Sequence, residues 1–346
     1  IYHDGWFHVF YQYNPYGDDW GHMHWGHARS RDLVQWEQLP IALWPSLEQG
    51  EEHVFSGCAR VNGQGQPLLF YTSVKTGLRD QRPPNEQWAA LGDADWITWQ
   101  KHPANPILAL ETHGGPPFEG DWRDPYIFEE AGRTFLVIGG SYADTDAIAL
   151  YEAEDTDLLR WRYQGLLYHE PRGPRSFLEC PNFFKVDDKW VLLTSPYRPV
   201  EYMVGDFDLQ TLTFTPQTKG VLDAGFDDVP NYYATNTLYD EQGRCILLGW
   251  VRGFAKERGW NGCLALPRIL SIGADGHPRQ TPLPALEQLR GRRLARTGLA
   301  LHNGSQRLQN VEGDTLEILA TINPGSATAI GLKVRCTDDG QSAVLI

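Results

Sequence analysis

Two short stretches of the chain hold acids in frames that could do chemistry. Arg123, Asp124 and Pro125 form one, and Glu179, Cys180 and Pro181 form the other, so each acid has a proline one or two residues after it. Two carboxyl groups held at one place can divide acid and base work when their surroundings push their pKa values apart, and glycoside hydrolysis is the reaction class that needs such a pair. Either acid alone could instead cap a strand or pair with a neighbour such as Arg123. What would make the two a site is a scaffold that brings them together.

The second acid opens a stretch, Ser176 to Ser195, that runs through apolar residues and an Asp187-Asp188 turn into a strand-like segment at Trp190. Four other segments resemble that one: WFHVFYQY from Trp6, PLLFYTS from Pro67, TFLVIGGS from Thr134 and CILLGWV from Cys245. All are short and rich in β-branched and aromatic residues, and Gly or Asp turn chemistry precedes them. Taking Phe7, Leu68, Phe135, Trp190 and Cys245 as anchors, the spacings are 61, 67, 55 and 55 residues.

A second marker keeps step. The segments SRDLVQW, DADWITW, DTDLLRW and DLQTLTF close on Trp36, Trp99, Trp161 and Phe214, which are 63, 62 and 53 residues apart. A degenerate repeat of this length made of short strands is the signature of a β-propeller, and five copies predict five blades around a central channel. Counting back 11 residues from the last four anchors reaches Gly57, Asp124, Glu179 and Ala234. Equivalent positions on successive blades face one channel, so Asp124 and Glu179 are expected to converge there.

Composition narrows the partners. The chain has 346 residues, a net charge of -14, 41% hydrophobic residues and 13 tryptophans, and no basic stripe with interleaved aromatics, so nucleic acid is not expected as a partner. No apolar run approaches the roughly 20 residues of a membrane-spanning helix, so no membrane partner is expected either. Five cysteines at irregular spacing form neither CxxC pairs nor a disulfide scaffold. His22, His24 and His27 lie in an aromatic loop without an acid or cysteine at ligand spacing, so no metal is expected there, and no cofactor is expected anywhere.

The expected organisation is all-β: a five-bladed propeller over residues 1–280, a linker with helical leucine spacing over 281–300, and the start of a β-sandwich over 301–346. In that last part LEILATINPGS and GLKVRCTDD alternate like strands, and the sandwich is expected to continue past Ile346. The native N-terminus is expected upstream of Ile1, so compartment and oligomeric state are not read from these residues.

At this point the chain resembles a known family, glycoside hydrolase family 32, the β-fructofuranosidases that include invertases, exo-inulinases and levanases. The resemblance rests on FYQYNP (Phe10 to Pro15), the WGH following Trp20, DLVQW, FSG (Phe55 to Gly57), WRDP (Trp122 to Pro125), ECP (Glu179 to Pro181) and GWNG followed by LPR. It implies a five-bladed propeller followed by a β-sandwich, and retaining hydrolysis that releases β-D-fructose from sucrose or fructans such as inulin and levan. It also implies Glu179 as general acid/base, Asp124 as transition-state stabiliser, Arg123 as the residue orienting both, and Gln12, Trp20, Phe55, Ser56 and Trp260 lining the fructose pocket. The family's nucleophile, an Asp in an Asn-Asp-Pro-Asn-Gly motif, is expected upstream of Ile1. The 11-residue step from Phe7 reaches the same place, the fifth residue before Ile1. Two alternatives stay open: a fructosyltransferase on the same fold, and a non-catalytic fructan-binding protein.

Overall fold

The computed structural model describes residues 1–77, 81–174, 176–225, 231–255, 257–313, 315–334, 336 and 344–345. It divides into two compact units, Ile1–Ala285 and Leu286–Ile346. The first is a five-bladed β-propeller, each blade an antiparallel sheet whose strands follow one another in chain order.

Blade 1 comprises Tyr2–His3, Trp6–Tyr13, His24–Ser30 and Trp36–Leu43; blade 2 comprises Glu51–Val61, Pro67–Lys75, Glu86–Gly92 and Trp99–Lys101, with Leu108–Ala109 added beside its third strand. Blade 3 comprises Arg123–Glu130, Arg133–Tyr142, Thr145–Ala153 and Trp161–Pro171, and blade 4 comprises Glu179–Val186, Lys189–Ser195, Val200–Asp208 and Thr213–Asp223. Blade 5 comprises Tyr232–Tyr239, Cys245–Val251, Arg268–Ile272 and Pro278–Pro282, with Cys263–Leu264 paired to its second strand. Blades 5 and 1 meet where the Tyr2 hydroxyl donates to Glu241 at 2.9 Å.

Both repeat markers have a structural cause. The five anchored segments are the second strand of every blade, and Trp36, Trp99, Trp161 and Phe214 sit at the start of the fourth strand in blades 1 to 4. Between them lies a turn held by an aspartate: Asp32 accepts the N–H groups of Val34 and Gln35, Asp93 those of Ile97 and Thr98, Asp155 that of Leu159, and Asp208 those of Gln210 and Thr211. Each of these turns also holds an apolar residue with positive φ, namely Leu33, Trp96, Leu158 and Leu212 at 61°, 61°, 61° and 55°. A branched or bulky residue rarely adopts that conformation. Burial offsets the strain, because Leu33, Trp96 and Leu158 are all buried under the sheet edge.

The core lies between blades. Phe183 stacks on Trp190 at 4.7 Å within blade 4, and Phe128 of blade 3 meets both rings edge-on at 5.1 and 5.3 Å. Such pairs add specific geometry to a large apolar contact and so fix how one blade sits on the next.

In the second unit the leucine-spaced segment begins with a 3-10 helix, Pro284–Leu289, which crosses the division between the units, and no further helix follows among the described residues. The stretch at 316–326 was expected to be a strand and is not one; Leu316, Ile318, Leu319 and Ile322 are exposed. An alternating segment becomes a strand only when a partner takes its hydrogen bonds and a second layer buries one face. Of GLKVRCTDD, Lys333–Val334 pairs with Val344–Leu345, while residues 335 and 337–339 lie outside the described residues.

Candidate active site

The innermost strands of blades 2 to 5 each carry a β-bulge at the same end of the channel. In blade 3 the pairing breaks between Arg123 and Tyr126, in blade 4 between Glu179 and Asn182, in blade 5 between Tyr233 and Asn236, and in blade 2 between Val54 and Gly57. A bulge releases residues from the ladder and re-aims side chains, and a proline fits inside it because no N–H is needed there. Pro125 and Pro181 are at those positions. Asp124, Cys180 and Ala234 take the first bulge position with φ of 67°, 48° and 47°.

This register corrects the sequence alignment by one residue. Glu179 is the structural equivalent of Arg123 and Tyr233, whereas Asp124 is the equivalent of Cys180 and Ala234. The two acids are therefore not matched positions. They are nonetheless neighbours, because the Asp124 carboxylate accepts the backbone N–H of Cys180 at 2.9 Å.

Arg123 joins the two acids. Its guanidinium donates to Glu179 at 2.7 Å and lies 3.8 Å from Asp124, and it also donates to the Tyr197 hydroxyl at 2.6 Å and to the Asp121 carbonyl at 3.0 Å. The ring of Phe177 covers it at 4.0 Å. Burial opposes a charged guanidinium, but Glu179 and Asp124 more than offset this and hold its pKa above the ordinary value.

Glu179 is held from two sides, since its second oxygen lies 2.7 Å from the Tyr233 hydroxyl. Asp124 is buried, and its backbone N–H donates to Thr72 at 2.9 Å; Thr72 in turn donates to Gln87 at 2.8 Å. Burial raises the Asp124 pKa to about 6; Arg123 opposes that rise and Glu179 adds to it. The Cys180 thiol is pushed well above its ordinary pKa, first by burial and then by Asp124 and Glu179, so it is not a ready nucleophile.

The remaining residues singled out in the sequence form a second group on blades 1, 2 and 5. Gln12 donates to Ser56 at 3.4 Å, the Trp25 indole donates to the Phe55 carbonyl at 3.1 Å, and the exposed Trp20 ring sits 5.9 Å from Phe55. Trp260 lies in a blade 5 loop against Phe254 at 4.7 Å, and that loop reaches blade 1 through the Gly259 N–H to Asp18 at 3.2 Å. Across the axis, Asn236 donates to the Gly57 carbonyl at 3.2 Å. Of the three histidines, His24 and His27 stand on the third strand of blade 1 and only His22 lies in the loop before it; His24 pairs with the His22 carbonyl, while His27 is buried against His8 at 3.0 Å.

Tyr233 and Tyr197 escaped the sequence reading. The count back from Cys245 reaches Ala234, one residue past Tyr233, so the corrected register alone finds it. Tyr197 carried no signal, since it sits in a turn with φ of 61° and reaches Arg123 from the neighbouring blade. Beside these groups lies a cavity of about 540 Å³ lined by Glu119, Asp121, Arg123, Arg172, Phe177 and Tyr197, with Ser141 and Ser176 behind.

Residues 1–282 match the family model described as the glycosyl hydrolases family 32 N-terminal domain. The chain belongs to glycosyl hydrolase family 32. Within that family it is 32% identical over 375 residues to a sucrose-6-phosphate hydrolase of Zymomonas mobilis, covering 100% of this chain and 70% of the relative. It is 31% identical to a levanase of Bacillus subtilis, covering 97% of this chain and 52% of the relative. The structure resembles that of a Bombyx mori family 32 β-fructofuranosidase with a TM-score of 0.73 and 30% identity, over 84% of this chain and 63% of the other. The chain thus spans between about half and seven-tenths of the length of these family 32 proteins.

Proposed function

We propose that this chain forms the acid/base side of a retaining glycosidase site that releases β-D-fructose from sucrose or a fructan. The observation that carries this reading is the Arg123 bridge, which ties a half-buried glutamate and a buried aspartate together in adjacent bulges at one end of the channel. The family's relatives named above act on the same kind of bond.

In this reading Glu179 gives its proton to the glycosidic oxygen as the bond to the anomeric carbon breaks. A carboxylate attacks that carbon from the opposite face. The blade 1 hairpin turns at Asp4-Gly5 just as the blade 4 hairpin turns at Asp187-Asp188, so the position equivalent to Glu179 falls five residues before Ile1, and the nucleophilic Asp is assigned there. Water then attacks the fructosyl ester, Glu179 takes the water's proton, and fructose and the free Asp carboxylate are released. Asp124, ionised, accepts hydrogen bonds from fructose hydroxyls that tighten as positive charge develops on the ring. Gln12, Trp20, Phe55, Ser56 and Trp260 line the fructose side.

The test is product analysis with the full-length protein on sucrose, inulin and levan. Release of free fructose with initial retention of configuration is expected. Release with inversion, or no release from any of the three, contradicts the reading.

A further inference from the structure

The cavity beside Arg123 carries an inference that rests on the proposed fructosidase reading and concerns its leaving group. Its walls come from blades 3 and 4, next to the assigned acid, whereas the residues assigned to fructose, apart from Asp124 on blade 3, come from blades 1, 2 and 5. The cavity therefore lies where the group protonated by Glu179 departs.

Among the described residues, the cations lining this cavity are already engaged. Arg172 donates to both oxygens of Glu119, one of them at 3.1 Å, and its Nε lies 3.8 Å from Asp146. Asp146 is fully buried and fixed by Ser141 at 2.6 Å and by Ser176. Arg123 serves Glu179, Tyr197 and Asp121, and Arg82 donates to Asp121 at 2.6 Å. Among the described residues, the carboxyl groups of Glu119, Asp121, Asp124, Asp146 and Glu179 thus stand against three guanidinium groups.

A phosphate is recognised by arginine forks left open for it, and among the described residues the arginines lining this cavity already hold carboxylates, so a dianion placed here meets the repulsion of Glu119 and Asp121. An uncharged sugar meets no such repulsion, because its hydroxyls both donate to carboxylates and accept from guanidinium or tyrosine groups. We infer that this cavity is a leaving-group site selective for an uncharged sugar over a phosphorylated one, with the Glu119–Arg172 pair as the discriminating element. The chain thereby departs from relatives named for sucrose 6-phosphate, despite the shared family.

The experiment compares kcat/KM of the full-length protein for sucrose and for sucrose phosphorylated on O6 of its glucosyl unit, in the wild type and in Glu119→Gln. The wild type is expected to favour plain sucrose by at least about tenfold, since like charges juxtaposed in a site are strongly disfavoured. Glu119→Gln frees Arg172 and is expected to move the ratio about tenfold toward the phosphorylated sugar. Equal or better turnover of the phosphorylated sugar by the wild type overturns the inference and leaves the fructosidase reading intact. An unmoved ratio in a folded Glu119→Gln protein removes the pair as the discriminating element. Absence of fructose release from both sugars overturns the fructosidase reading itself.

Discussion

The hydroxyl of Tyr233 lies 2.7 Å from Glu179 and 2.5 Å from the carbonyl of Ser195, so a single hydrogen faces two acceptors. When Glu179 carries a proton of its own, that proton can point to the Tyr233 oxygen while the hydroxyl donates to Ser195, and every group is satisfied. When Glu179 is ionised, Tyr233 can swing its hydrogen to the carboxylate. The tyrosine can therefore follow the glutamate through both halves of a double displacement.

Tyr233→Phe should accordingly lower kcat/KM on sucrose by roughly ten- to a hundredfold, the usual range for one hydrogen bond to a charged group. The loss should be smaller on p-nitrophenyl β-D-fructofuranoside, whose leaving group needs little protonation. Equal losses on the two substrates would show that Tyr233 only supports the fold.

Glu179→Gln should show the same contrast more strongly. General acid help is worth roughly 10² to 10⁴-fold, so sucrose turnover should fall by that order while cleavage of the activated fructoside falls far less in its first step. Near-normal sucrose hydrolysis would remove Glu179 from the mechanism.

Asp124 makes a prediction in pH. Its folded pKa of about 6 is raised above the ordinary carboxylate value, chiefly by burial, so the ionised form required by its assigned role is lost as pH falls through about 6. The kcat/KM profile should bend downward near that pH, and Asp124→Asn should lower kcat with little change in KM. A variant whose KM alone rises marks Asp124 as a ground-state binding residue.

These assignments show which parts of the molecule were legible in its residues. The second strands and the closing aromatics could be read because blades 1 to 4 repeat the same aspartate-held turn, and local hydrogen bonds of that kind leave a signature in sequence. The register of the bulges could not. Phe135 lies two residues before the partner of Tyr126, while Trp190 lies three before the partner of Asn182, and apolar runs alone do not reveal that difference. Tyr197 and the Glu119–Arg172 pair were out of reach for another reason, since their partners come from distant parts of the chain.

The buried pair His8 and His27 predicts a loss of stability in acid. Burial lowers their pKa values to about 4 and about 3, below the ordinary 6.5, so both stay neutral in the fold while the unfolded chain takes up protons. Their contribution is present above pH 6.5 and is lost as pH falls toward 4, by roughly 2 kcal/mol per histidine at pH 5. Thermal unfolding between pH 7.5 and 5 should show a drop in Tm that is smaller in His27→Gln. A parallel drop in both proteins would place the acid sensitivity elsewhere.

Gly139 pairs with Arg123, and a methyl group on it would sit 2.2 Å from the Leu178 carbonyl, directly behind Glu179. Gly139→Ala should therefore destabilise the propeller by about 1 to 3 kcal/mol. It should also depress activity more than an alanine at Gly132, where the left-handed turn is open to solvent. Unchanged unfolding and turnover would mean that blades 3 and 4 can separate freely at this point.

The bulges have a consequence for how such a protein can change. At one and the same backbone position three blades display an arginine, a glutamate and a tyrosine. Because the following residues are released from the ladder, the sheet makes little demand on which side chain stands there. Each blade is in effect a socket of fixed shape, and the chemistry at the mouth of the channel can be exchanged one plug at a time while the ring that holds the sockets stays the same.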